Sequence, residues 1–188
     1  MCSHNEICAS LIELMAEIGE QFHLYKEGAG TWTLSGNVAS TGTCLVTEGR
    51  LDLNGSVAQS LIIDIRAGAV LGGSGHVSCK ARIGSGVKLA AGASNEIGTL
   101  TFENELAFEE GSELEIKMGR DACDCVDAQG PLNFPSRLAV KLIPLEGGRL
   151  PDGGHVVLRW RSIPSTEFVL SGAVRGCTLE RRTEGLVL

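Results

Sequence analysis

The chain has 188 residues, a net charge of −7 and an apolar share of 43%, with aromatic residues at only 4%. That length suits one ordinary domain, and the apolar share excludes a disordered chain, which lacks the hydrophobicity to build a core. The acidic balance speaks against nucleic acid as a partner, and no segment approaches the roughly 20 apolar residues of a membrane-spanning helix.

Residues 1–27 differ from everything after them. Ile7, Leu11, Leu14, Met15, Ile18 and Phe22 recur three or four apart, the spacing of one helical face. Ser3 with Glu6, or Ser10 with Glu13, supplies a capping box, and Gly28 and Gly30 end the helix. An apolar helical stripe has to cover something; here it is expected to close the open end of a strand stack as an N-terminal cap, with residues 28–188 forming the stack.

From Gly30 onward short strands dominate. Period-two patterning predicts strands at Thr31–Leu34, Cys44–Thr47, Arg50–Asn54, Leu61–Arg66, Val77–Cys79, Val87–Leu89, Thr99–Phe102, Leu106–Phe108 and Glu113–Lys117. Asn54-Gly55 and the run Gly72-Gly73-Ser74-Gly75 are turns. Glycine is abundant, 25 of 188 residues, against roughly 7% in average proteins. A meander of hairpins would also yield short strands and glycine turns. Two features favour parallel coils instead: turns recur about every 8–12 residues without paired hairpin loops, and Ala67-Gly68-Ala69, Ala91-Gly92-Ala93 and Glu110-Gly111-Ser112 read as one corner repeated from coil to coil.

Gly30-Thr-Trp-Thr-Leu-Ser-Gly-Asn37, Thr41-Gly-Thr43 and Gly49-Arg-Leu-Asp-Leu-Asn-Gly55 together resemble the autotransporter-associated β-strand repeat of bacterial surface passengers. Ala67 to Val77 is similar to that family's next rung, Val87–Ser94 with Ile97–Thr101 to the one after, Asp124-Cys-Val-Asp127 to a short strand after an acidic turn, and Thr178–Glu180 with Gly185–Leu188 to its last strands. The similarity covers roughly residues 28–188. It implies an all-β fold, a right-handed parallel single-stranded β-helix, the hand agreeing with the crossover preference of parallel strands. It also implies a non-catalytic stalk or spacer, adhesive in some settings, displayed outside the cell or at the outer membrane. Met1–Ser10 has neither the basic start nor the apolar run of a signal peptide, so the chain expressed alone is expected in the cytoplasm. The alternative is a glycan-active β-helix enzyme, a lyase or hydrolase.

The residues that could carry chemistry give little to that alternative. Seven cysteines, at 2, 8, 44, 79, 123, 125 and 177, are odd in number and irregularly spaced, so they form no disulfide framework. Cys2, His4 and Cys8 lack a second ligand pair at zinc spacing. Cys123 and Cys125 share one strand face, but a redox pair usually has two intervening residues at a helix start, and the acidic Asp124 raises thiol pKa values. Asp121, Asp124 and Asp127 cannot all point one way from a strand; Glu113 with Glu115, and Glu103 with Glu105, can, as ordinary outward charges. The four histidines, 4, 23, 76 and 155, are scattered, and no nucleophile motif accompanies them. Gly73-Ser-Gly75 and Gly84-Ser-Gly86 lead into no helix and read as repeat turns. Trp32, Trp160 and Arg161 could meet a sugar ring or a partner chain, although Trp32 reads first as packing between coils.

Charge is uneven along the chain. Ten acidic residues face two basic ones between Glu96 and Asp127, and six Arg face four acids between Arg149 and Glu184. With no C-terminal cap evident, end-to-end self-association and contact with a glycan or protein surface are the expected partnerships. No catalytic, cofactor-binding or metal-binding residue is assigned.

Overall fold

The computed structural model describes residues 23–39, 42–58, 62–119, 121–145, 154–162, 164–171 and 176–188. The helical cap is predicted for residues 1–27, of which residues 1–22 lie outside the described residues. Leu24–Lys26, by contrast, is a strand, so the coils begin before the predicted boundary at Gly28.

Among the described residues there is no helix, and the strands fall into three sheets that run parallel throughout the body of the molecule. The first carries β1 (Leu24–Lys26), β4 (Thr43–Val46), β7 (Ile62–Ile65), β10 (Lys80–Ile83), β13 (Leu106–Phe108) and β16 (Leu132–Asn133). The second carries β2 (Thr31–Leu34), β5 (Arg50–Leu53), β8 (Val70–Gly73), β11 (Lys88–Ala91), β14 (Glu113–Met118), β17 (Arg137–Pro144) and β19 (Glu167–Ser171). The third carries β3 (Asn37–Val38), β6 (Ser56–Val57), β9 (His76–Val77), β12 (Thr99–Phe102), β15 (Cys125–Ala128), β18 (Val156–Arg159), β21 (Gly185–Val187) and β20 (Glu180–Arg181). Through β18 every third strand stacks on the one before it, and β19 then stacks on β17, which makes the described chain a parallel β-solenoid of three-sided coils.

Alternation along each strand sends one row inward. Leu51, Leu71, Leu89, Leu114 and Val140 meet rung by rung in the second sheet; Val46, Ile65, Ile83 and Phe108 do so in the first. All are buried, in one continuous aliphatic core. Lys26 occupies the first position of the row that Val46 continues. Its ammonium group donates to the carbonyls of Glu27, Gly28 and Glu48 and lies 5.6 Å from the Trp32 ring centre. Trp32 therefore packs on the first rung, as its sequence context suggested.

One corner repeats with a physical cause. Ala69, Val87 and Ser112 donate their amides to the carbonyls three residues earlier, at Arg66, Gly84 and Glu109. The third residue of each turn is Gly68, Gly86 or Gly111, at φ of 86°, 73° and 82°, the type II signature that glycine alone meets without strain. The sequence had placed Gly92 in this series. Gly92 instead lies one corner further on, after β11, where it exchanges backbone hydrogen bonds with Gly73.

The coils widen along the chain. Successive rungs of the first sheet are 20, 19 and 18 residues apart (Leu24 to Cys44, Cys44 to Ile63, Ile63 to Ala81), then 25 and 26 (Ala81 to Leu106, Leu106 to Leu132). The added residues sit between the second and third sheets, at 92–98 and 119–124.

Near the C-terminal end an aromatic cluster forms that the sequence did not reveal. Phe108 stacks on Phe134, Phe134 meets Phe168 edge-on, and Phe168 stacks on Trp160 with centres 5.3, 5.6 and 5.7 Å apart; the Arg181 guanidinium lies over the outer Phe168 ring. In the third sheet the parallel order ends there, because β21 pairs antiparallel with both β18 and β20.

Candidate functional site

Two surfaces concentrate polar side chains. The first is the outward side of the second sheet, where alternation places Arg50, Asp52, Lys88, Glu113, Glu115, Lys117 and Lys141. Glu115 lies 3.1 Å from Lys88 and 3.0 Å from Lys141 on the rungs either side. Burial pushes its carboxyl up, but the two ammonium groups outweigh that and hold it below the usual range. Glu113 is shared between the same two lysines at 4.0 Å.

The Arg50 side chain crosses two rungs. Its Nε donates to Asp52 Oδ1 at 2.7 Å, and its Nη2 reaches the carbonyls of Ala90 and Gly92 at 3.3 and 2.6 Å. A Cβ on Gly72 would lie 2.1 Å from that Nη2, so glycine there clears the path.

Beside it, the buried Lys117 ammonium donates to Asp124 Oδ2 at 2.6 Å and to the Ala91 carbonyl. The same carboxylate accepts the Lys117 amide at 2.8 Å and the Gly98 amide at 3.0 Å. Burial pushes Asp124 up, and the Lys117 contact with the two amides opposes it. Asp124 thus fastens both widened segments, 92–98 and 119–124, onto the sheet. Lys117 carried little signal, since it sits in the outward row of an ordinary alternating strand, Glu-Leu-Glu-Ile-Lys-Met. Asp124 carried none, because its role depends on folding back from a loop.

The second surface is created by the widening itself. Where the third sheet meets segment 119–124 and the C-terminal strands, a hollow of about 300 Å³ opens among Thr99, Asp121, Cys123, Cys125, His155, Val156 and Arg159. Thr99 and Cys125 are rung neighbours, as are Asp127 and Arg159. Asp127 nevertheless takes its hydrogen bond from Gln129 Nε2 at 3.1 Å, leaving the Arg159 guanidinium without an ion-pair partner among the described residues. His155 Nε2 is buried in the wall without a partner.

Burial pushes the Cys123 thiol up to about 12, with the charges of Cys125 and Asp124 adding to it. Cys125 rises to about 11, again by burial, and Arg159 restrains it. Both are protonated at neutral pH and poor nucleophiles. The acidic-neighbour reading of this pair agrees with these directions.

The remaining sequence candidates separate in space. Asp121 lines the hollow, Asp124 is buried under Lys117 and Asp127 faces outward, so the three aspartates form no common cluster. Glu103 and Glu105 lie in the bend before β13 rather than on a strand; Glu103 accepts from Ser78 Oγ, and Glu105 meets Lys80 and Asn133. Trp160 is buried against Phe168, which removes it as a sugar-stacking surface; its aromatic bulk serves the aromatic cluster. Cys2, His4 and Cys8 lie outside the described residues. Arg159, Thr99 and His155 were not singled out together, since they meet only because coils of unequal length are stacked. No group of three or more His, Cys, Asp or Glu among the described residues could hold a metal ion, and no described helix is long and apolar enough to cross a membrane. No protein-family model matches the chain, and no curated protein matches it.

Proposed function

We propose that this chain is a non-catalytic structural segment, a stalk or spacer of the kind carried by bacterial surface-displayed passengers. The observation that carries this reading is the way outward charge is used. On the long face of the second sheet, where a β-helix enzyme would need free carboxylates about 5–9 Å apart, Asp52, Glu113, Glu115 and Asp124 are each engaged by a cation or an amide. The Glu113 and Glu115 contacts run from rung to rung and hold coils together, while Asp52 and Asp124 are paired within their own coils. A solenoid built this way gains stability from each neighbour-on-neighbour interface, a property suited to holding other material at a distance.

The test places the full chain between the tip and the membrane anchor of a bacterial surface protein in place of its natural stalk. The expected result is a folded, protease-resistant stalk with the tip accessible to antibody on intact cells. A tip lost from the surface with the inserted segment degraded would refute the spacer reading. In parallel, the isolated chain is incubated with acidic and neutral polysaccharides. Unchanged chain lengths are expected; cleavage abolished by Glu115→Gln would replace this reading with a glycan-active enzyme.

A further inference from the structure

We propose that the hollow at the widened corner binds a small monocarboxylate, with the carboxylate on the Arg159 guanidinium and the apolar body against Val156 and Cys125. This goes beyond the spacer reading, which needs no concave site. Arg159 stands next to Asp127 on the adjacent rung, yet that carboxylate is engaged by Gln129, so the cation is left facing the hollow.

The other polar groups around it fit the same ligand. Thr99 brings a hydroxyl to the wall, and Cys123 and Cys125 keep their protons at neutral pH, so they offer weak donors and no competing charge. A planar guanidinium matches a carboxylate with two parallel hydrogen bonds. Asp121, exposed on the rim, adds one negative charge that disfavours dianions. The volume sits at the lower end of ligand pockets and suits a ligand of a few carbon atoms or one terminal unit of a longer chain.

Two sources share this chemistry, a free hydroxy acid and a uronic-acid unit of a glycan. The experiment titrates ¹⁵N-labelled full-length chain with sodium lactate, sodium succinate and a uronic-acid oligosaccharide at constant ionic strength, with sodium chloride as control, and follows the amides of Thr99, Cys125 and Arg159. Saturable shifts with lactate assign a free acid. Shifts with the oligosaccharide alone assign the glycan-borne carboxylate. Arg159→Gln, a surface substitution, should weaken binding about tenfold or more, the scale of a lost charge-assisted pair, and Asp121→Asn should raise succinate affinity several-fold while leaving the mono-acid within twofold. No saturable shift with either mono-acid source, shifts matched by chloride, or unchanged affinity in Arg159→Gln would each overturn the proposal. Failure here leaves the spacer reading untouched, because that reading is tested by display.

Discussion

Removing the Asp124 carboxylate should be among the most damaging single changes on the outer face. In Asp124→Ala the Lys117 ammonium, 4% exposed, keeps only the Ala91 carbonyl, and the amides of Gly98 and Lys117 lose their acceptor. Stranding one member of a buried ion pair costs about 3–5 kcal/mol, and each unsatisfied buried amide about 1–3 kcal/mol more unless water enters. The expected loss is therefore at least about 3 kcal/mol, read from urea denaturation followed by far-ultraviolet circular dichroism. The companion Lys117→Met/Asp124→Asn removes both charges while Asn retains an acceptor. In the cycle with the single changes Lys117→Met and Asp124→Asn, the double should lose less than their sum, by about 0.5–3 kcal/mol, the range of coupling between residues in contact. A loss under about 1 kcal/mol for Asp124→Ala, or strict additivity in the cycle, would refute the reasoning that this pair fastens the widened segments.

Leu114→Ala and Leu100→Ala, both at fully buried inward positions, should each cost about 2–5 kcal/mol by the same denaturation assay; less than about 0.5 kcal/mol for both would contradict their facing. Gly111→Ala puts a Cβ on a residue at φ 82° and should cost about 1–2 kcal/mol, seen as a lowered melting temperature, while Ala107→Ser, half-buried on the outward side of a neighbouring strand, should not. Glu115 has a folded pKa below its unfolded value, which is about 4.3. Its contribution is present above that value and is lost as pH falls through the folded pKa. Glu115→Gln should thus flatten this part of the acid limb of a stability–pH curve, and an unchanged slope would contradict the lysine pairing.

Much of the fold could be read from residue order. Thr31–Leu34, Thr99–Phe102 and Leu106–Phe108 are strands with the bounds that alternation alone suggests. The two-residue strands Asn37–Val38 and Ser56–Val57 escaped because two residues cannot display a period, yet they supply the third side of the first two coils. Gly92 was placed at the wrong corner because glycine reports a permissive backbone and not which turn it serves. The aromatic cluster was hidden because Phe108, Phe134, Trp160 and Phe168 are far apart in sequence and converge through stacking. The hollow was illegible for a related reason: its position depends on the change from coils of 18 residues to coils of 25, which brings Thr99, Cys125 and Arg159 to one wall, and only the register of the finished stack records that.

The central claim is that each strand from β1 to β19 pairs in parallel with the strand one full coil away. Methyl-to-methyl nuclear Overhauser contacts in the full chain test it most directly. Stacked coils predict an unbroken series from Leu51 to Leu71, Leu71 to Leu89, Leu89 to Leu114 and Leu114 to Val140. Close Hα–Hα contacts between strands adjacent in sequence, such as Ile62–Ile65 against Val70–Gly73, with that leucine series missing, would show antiparallel hairpins and contradict the account.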